Sequence, residues 1–168
     1  MQKPDQITAD IFADIAQTFG LSRPAGLCFA LIWRSADPPC ADDLAQRLGI
    51  ARSGVSAALK ELRGWNLISA ARAPGDRKDY FTAPTDTWEV LRLLIAARQR
   101  LVIAPLTDRI LAAEAATGDA RIASLHATLS EVSATLTRLA SGDGAALAKG
   151  FTALSASPEK PRKKKKKK

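Results

Sequence analysis

The chain has 168 residues, 46% hydrophobic and 25% charged, enough for a real core in one or two domains. No window reaches the ~18 uninterrupted apolar residues of a membrane helix, which excludes a spanning role. Of the formal charge of +8, a net +7 lies from Ser157 onward, where Lys160, Arg162 and Lys163 to Lys168 oppose only Glu159.

The body therefore carries +1, and any nucleic-acid binding has to rest on local structure. Residues 157–168 are expected to be a disordered basic tail, because like charges repel and bury nothing. Such a tail serves either as an electrostatic arm on DNA or as a solubilising end. The segment Met1 to Asp10 mixes Lys3 with Asp5 and Asp10 and lacks an apolar signal core, so a cytoplasmic location is expected. Cys28 and Cys40 form no CxxC pair, and His126 is the one histidine, so neither a metal site nor a disulfide framework is expected.

Ile11, Phe12, Ile15 and Phe19 fall at helical spacing between Ile7 and Phe19, with Gly20 as a stop. Pro24 suits a helix start, and Leu27 to Trp33 predict a largely buried second helix ending near Ser35. Asp37-Pro38-Pro39 breaks it. Ala41 to Leu48 reads as a short helix with Leu44, Ala45 and Leu48 inward, closed by Gly49. Arg52 to Trp65 is a further helix with Val55, Leu59 and Leu62 on one face. Ser53, Ser56, Ala57 and Lys60 lie opposite, with Arg52 and Arg63 on the flank.

Leu67 to Arg72 and Asp79 to Thr82 read as strands about the turn Pro74-Gly75-Asp76-Arg77-Lys78, a hairpin with a basic tip. Beyond Pro84, Asp86 and Glu89 have capping-box spacing, and Trp88, Leu91, Leu94, Ile95 and Leu101 continue a long helix that Pro105 should bend or break. Ile122, Leu125, Leu129, Val132, Leu136 and Leu139 form a heptad-like seam, which fits either packing inside the subunit or a dimer helix. Ser141 to Gly144 ends that segment, and Ala145 to Ala156 suggests a weak last helix. Trp33, Trp65 and Trp88 are expected in the core, and His126 beside the seam as an ordinary helix residue.

A short helix, a tight turn at Gly49, a helix with a polar outer face and a basic hairpin follow one another in the order of a winged helix-turn-helix. In that arrangement the second helix enters the ~12 Å wide major groove and the wing follows the backbone or the minor groove. Gly49 permits the turn and Ala45 the close approach of the helices. Arg52, Ser53, Ser56, Lys60 and Arg63, with Arg77 and Lys78 of the hairpin, are the candidate DNA contacts. The alternative for each is a solvated surface. No nucleophile, base and orienter grouping, phosphate-cradling loop or metal cluster occurs, so neither an enzyme nor a cofactor is expected.

The stretches Gly20 to Gly26, Leu44 to Ile50, Val55 to Leu62 and Pro74 to Phe81 resemble the GbsR-type branch of the MarR family. The resemblance implies a mainly α (α+β) fold, a winged helix-turn-helix over residues 21–86. Residues 1–20 and 87–156 would be flanking dimerisation helices. It also implies a homodimeric transcription regulator, a repressor in its simplest form, bound to near-palindromic double-stranded DNA, with a possible small-molecule effector and no membrane partner. A winged interaction module without DNA specificity is the alternative. Three departures stand out. Ala51 replaces a usual serine cap, leaving the helix capped by Ser53 or less firmly capped. Cys40 holds a similar cap position, and Arg77-Lys78 replaces a paired arginine. The branch's link to choline and betaine raises an aromatic cage as a further role for the tryptophans. Cys28 and Cys40 are either buried thiols or oxidant sensors.

Overall fold

Apolar residues recurring at three- and four-residue intervals between glycine and proline stops make this chain mostly helical. The computed structural model describes residues 3–155 apart from residue 73, so the basic tail lies outside the described residues. The helices are α1 (Lys3–Phe19), α2 (Arg23–Arg34), α3 (Ala41–Leu48) and α4 (Arg52–Gly64), followed by the strands β1 (Ser69–Ala71) and β2 (Tyr80–Thr82). Then come α5 (Thr87–Arg98), a π-helical turn (Gln99–Ile103), α6 (Ala104–Thr117), α7 (Ala120–Ala140) and α8 (Gly144–Ser155).

The helix α2 is the centre of the winged region. Ser22 caps it, its hydroxyl accepting from the Ala25 N–H at 3.3 Å, and Pro24 sits in the first turn, where no N–H is needed. Ala25, Gly26 and Cys28 to Ile32 are all buried, as the sequence predicts. Helical spacing located α1, and the structure shows which of its faces is inward. Ala9, Ala13 and Ala16 face inward, Phe12 and Phe19 are half-buried, and Ile7, Ile11 and Ile15 stay exposed. Small residues took the inner face because α1 lies against Gly26 of α2, where only a methyl-sized side chain fits.

Cys28 is fully buried, and desolvation pushes its thiol from the ordinary 9.0 to about 12. It is therefore a buried core thiol. In the native state the proton stays on, so this group's contribution to stability is complete below pH 9 and is lost as pH rises toward 12. This group's share of the fall should be up to about 1.4 kcal/mol per pH unit, and Cys28→Ala should remove it from alkaline urea titrations, most clearly between pH 9 and 10, below the ordinary tyrosine value. An identical slope in the variant would place the thiol in solvent.

Leu44 of α3, Val55 and Leu62 of α4 and Leu67 join α2 in one core cluster with Trp65. Gly49 ends α3 at φ 66°, in the left-handed region that glycine enters without strain. The hairpin is antiparallel with Ser69 opposite Thr82 and Ala71 opposite Tyr80. Its strands are shorter than predicted because Leu67 and Ile68 are both buried, which breaks the in-out alternation a strand requires. The segment before α3 supplies a third line of backbone pairing. Cys40 bridges Tyr80, and the Phe81 N–H donates to Pro39 O at 3.0 Å.

Asp86 caps α5 by accepting from the Trp88 N–H at 3.0 Å, but the expected capping box is not completed. Glu89 instead accepts two bonds from Arg92 at 2.6 and 2.8 Å. Trp88 is also not a core residue: it is 37% exposed and packs on Phe151 with ring centres 5.7 Å apart. Trp33 packs on Phe12 and Trp65 lies in the core, so the three tryptophans occupy separate places and form no cage.

Pro105 lacks the N–H that Leu101 O would receive, and the chain absorbs this with the π turn just before it. The helical path continues, so the expected break is a local widening. Gln99 within that turn is buried and donates from Nε2 to Ser133 Oγ of α7 at 2.5 Å. Gly118 closes α6 at φ 63°, and Asp119 caps α7. Within the seam of α7, Ile122, Leu129, Leu136 and Leu139 are half-buried inside the chain, whereas Leu125 and Val132 are 50% and 43% exposed. His126 contacts Glu114 of α6, with Nδ1 2.9 Å from Oε2, a pairing that spacing did not predict.

Candidate nucleic-acid interface

Val55, Ala58, Leu59 and Leu62 bury one face of α4, which turns Ser53, Ser56, Ala57 and Lys60 outward. The wing lies beside that face. Together they enclose an open cleft of about 440 Å³ lined by Arg52, Ser56, Lys60, Arg63, Arg77 and Lys78. Six of the seven sequence-predicted contacts thus meet in one place, because the hairpin that follows α4 folds its tip back beside the helix. Ser53 is the exception; it is exposed on α4 but does not line the cleft.

The charges in the cleft are not equivalent. Lys60, Arg63 and Arg77 make no ion pair among the described residues, so their charge is available to a ligand. Arg52 and Lys78 share one carboxylate: Asp42 of α3 places Oδ1 2.5 Å from Arg52 Nη1 and Oδ2 3.5 Å from Lys78 Nζ. Lys78 is held above the ordinary lysine value, first by its charge interaction with Cys40 and then by its hydrogen bond to Asp42. The wing tip is fixed from within by Asp76, which accepts from the Lys78 N–H at 3.0 Å and from the Tyr80 hydroxyl at 2.7 Å. That second bond raises the Tyr80 hydroxyl to about 12. Arg72 pairs with Asp79 across the hairpin at 2.6 Å.

The start of α4 is the less firmly capped of the two possibilities raised by Ala51. Ala51 occupies the cap position with extended backbone and no side-chain bond, and Ser53 lies inside the helix. The N–H groups of the first turn therefore lack a side-chain cap, and with the helix dipole they favour an anion.

Two further contacts hold α4 in place, and neither is marked in the sequence. Glu61 accepts from the Ser22 N–H at 2.9 Å and from the Ser22 hydroxyl at 2.5 Å, tying α4 to the start of α2. Arg100 of the π turn donates to Gly64 O at 2.7 Å and so closes the C-terminus of α4. Its neighbour Arg98 does the same for α1, donating to Phe19 O at 3.2 Å.

No family model and no curated protein matches the sequence. Among solved structures, a transcriptional regulator superposes with a TM-score of 0.65 at 20% identity, covering 89% of this chain and 99% of that one. A MarR-family transcriptional regulator from Rhodococcus sp. RHA1 gives 0.41 at 18% identity, covering 76% and 85%. The regulator Tm0710 from Thermotoga maritima gives 0.41 at 17%, covering 82% and 92%. Only the first superposition is tight enough to carry weight, and at its identity it speaks to fold. The chain shares the fold of that regulator, and its own order of α3, the turn at Gly49, α4 and the β1–β2 hairpin is that of a winged helix-turn-helix, mainly α with a two-stranded wing.

Proposed function

We propose that this chain is a DNA-binding transcriptional regulator of the GbsR/MarR type, acting as a homodimer on a near-palindromic operator. The observation that carries the reading is the convergence of Arg52, Ser56, Lys60 and Arg63 of α4 with Arg77 and Lys78 of the wing in one cleft. An exposed helix face with a basic hairpin beside it is the form that reads a major groove and follows the adjacent backbone. The unpaired Lys60, Arg63 and Arg77 supply the phosphate attraction, and residues near the start of α4 supply base contacts.

The dimer is supported by the large apolar side chains left exposed on α1 (Ile7, Ile11, Ile15), α6 (Leu106, Leu111), α7 (Leu125, Val132) and α8 (Phe151), which a second subunit would cover. Two subunits would set their α4 helices ~34 Å apart, one turn of B-DNA. Repression follows most simply, by occupying the site polymerase needs. The effector belongs to the same reading. An apolar cavity of about 190 Å³ lies among Phe12, Ile15, Phe19, Trp33, Val90 and Leu94, where α1, α2 and α5 meet. A ligand there would shift the spacing of the two α4 helices and weaken the complex.

A mobility-shift titration on DNA from the chain's own upstream region, at several salt concentrations and with candidate osmolytes added, tests the reading. Arg52→Ala should lower specific affinity by ~1 to 3 kcal/mol. Arg77→Ala should weaken all sequences alike and reduce the salt slope by ~1 for each bound subunit. Wild-type slopes in Arg77→Ala would remove the wing from the interface, and absence of DNA binding at low salt would favour an interaction module.

A further inference from the structure

We propose that Asp42 is a built-in competitor for phosphate, a carboxylate that restrains sequence-independent DNA affinity by neutralising Arg52 and Lys78. This rests on the DNA-binding reading above and adds to it a residue whose role is to oppose binding. Its two oxygens are engaged by two cations from different elements, Arg52 at the start of α4 and Lys78 of the wing. Both cations line the proposed DNA cleft, and so does Asp42. The other acidic group there, Asp79, is instead paired with Arg72.

A structural role for Asp42 is the competing account, and the contacts decide against it. The pairs are solvent-exposed, with side chains 73% and 39% accessible for Arg52 and Asp42, and such pairs add little to stability. The wing is held without them. Phe81 is buried, its N–H bonds to Pro39 O, and Cys40 bridges Tyr80. The cap of α3 comes from Asp43, whose Oδ2 accepts from the Cys40 N–H at 2.9 Å, so it is also independent of Asp42.

Duplex DNA would find three charges here, two positive and one negative, with a net of one. To reach phosphates, Arg52 and Lys78 must leave Asp42, whose carboxylate then stays beside the DNA backbone. Removing its charge while keeping its shape should raise the effective neutralisation by one phosphate for each bound subunit. The salt dependence then steepens by ~0.9 per subunit in the logarithmic slope. A unit charge several ångströms from phosphates in water corresponds to a three- to tenfold change in affinity, ~0.7 to 1.4 kcal/mol, the scale of two unit charges ~4 Å apart in water.

The test is fluorescence anisotropy with the full chain and a short duplex of arbitrary sequence at several potassium chloride concentrations, comparing wild type, Asp42→Asn and Asp42→Ser. Both variants should bind three- to tenfold more tightly at low salt with a steeper slope, and Asp42→Asn in a Lys78→Ala background should gain less. Unchanged slopes, or weaker binding with a wild-type melting temperature, would overturn the role of Asp42 while leaving the DNA reading intact. Wild type that fails to bind duplex at low salt would overturn that reading and this inference with it.

Discussion

Gly26→Val should cost ~3 kcal/mol in folding free energy, the upper end of what overpacking usually costs and a substantial share of the ~5 to 15 kcal/mol that holds a typical domain together. A Cβ at this position would stand 2.5 Å from Ala13 Cα, 2.7 Å from Phe12 O and 2.9 Å from Ala16 Cβ. Two of those three atoms belong to backbone, which cannot rotate away as a side-chain tip does. The helices α1 and α2 would have to separate, and the alanine face of α1 would lose its contact. Gly54→Ala is the control. No atom lies within 4 Å of its would-be Cβ, so helix propensity alone applies and stability should rise by up to ~1 kcal/mol. Urea midpoints read both, and a Gly26→Val midpoint equal to wild type would mean that α1 does not rest on α2.

The same helix shows where sequence reasoning stops. Periodicity located α1 but could not say which face is inward, while close approach at Gly26 selected Ala9, Ala13 and Ala16. Trp88 failed for a related reason: an apolar residue at core spacing looks the same whether its own subunit or something else covers it. By contrast, the helix face of Val55, Leu59 and Leu62, the turn at Gly49 and the basic hairpin were legible because each is a local pattern of the chain. The contacts that orient α4 were not legible, since they pair residues far apart. Glu61 lies 39 positions from Ser22 and Arg100 lies 36 from Gly64. The restraint of Arg52 by Asp42 was hidden for another reason, because no spacing rule connects the start of a short helix with a hairpin tip. Pro105 announced a disruption, and only the three-dimensional chain reveals that a π turn absorbs it.

Ile11→Lys should have a larger effect on DNA binding than on folding. Ile7, Ile11 and Ile15 recur every four residues on α1 with exposures of 56%, 53% and 40%, so they form one stripe that this subunit does not cover. Burying a side chain of this size is worth ~1.5 to 3 kcal/mol, and a lysine in its place would put a charge into the proposed subunit contact. Because Ile11 is already half in water, the single subunit should keep its helical circular dichroism. The dimer should dissociate in sedimentation velocity. Operator affinity should then fall by a factor of ~100 or more, since the second half-site would no longer be engaged at the high effective concentration that a tethered partner provides. The salt slope on operator DNA should drop toward half, because one wing and one α4 would remain in place of two. That halving separates loss of a partner from damage to the cleft: Arg77→Ala removes one phosphate contact from each subunit and leaves the sedimentation coefficient alone. A variant that sediments as wild type while losing operator affinity would place the α1 stripe against DNA or an effector and leave the subunit contact to α6, α7 and α8.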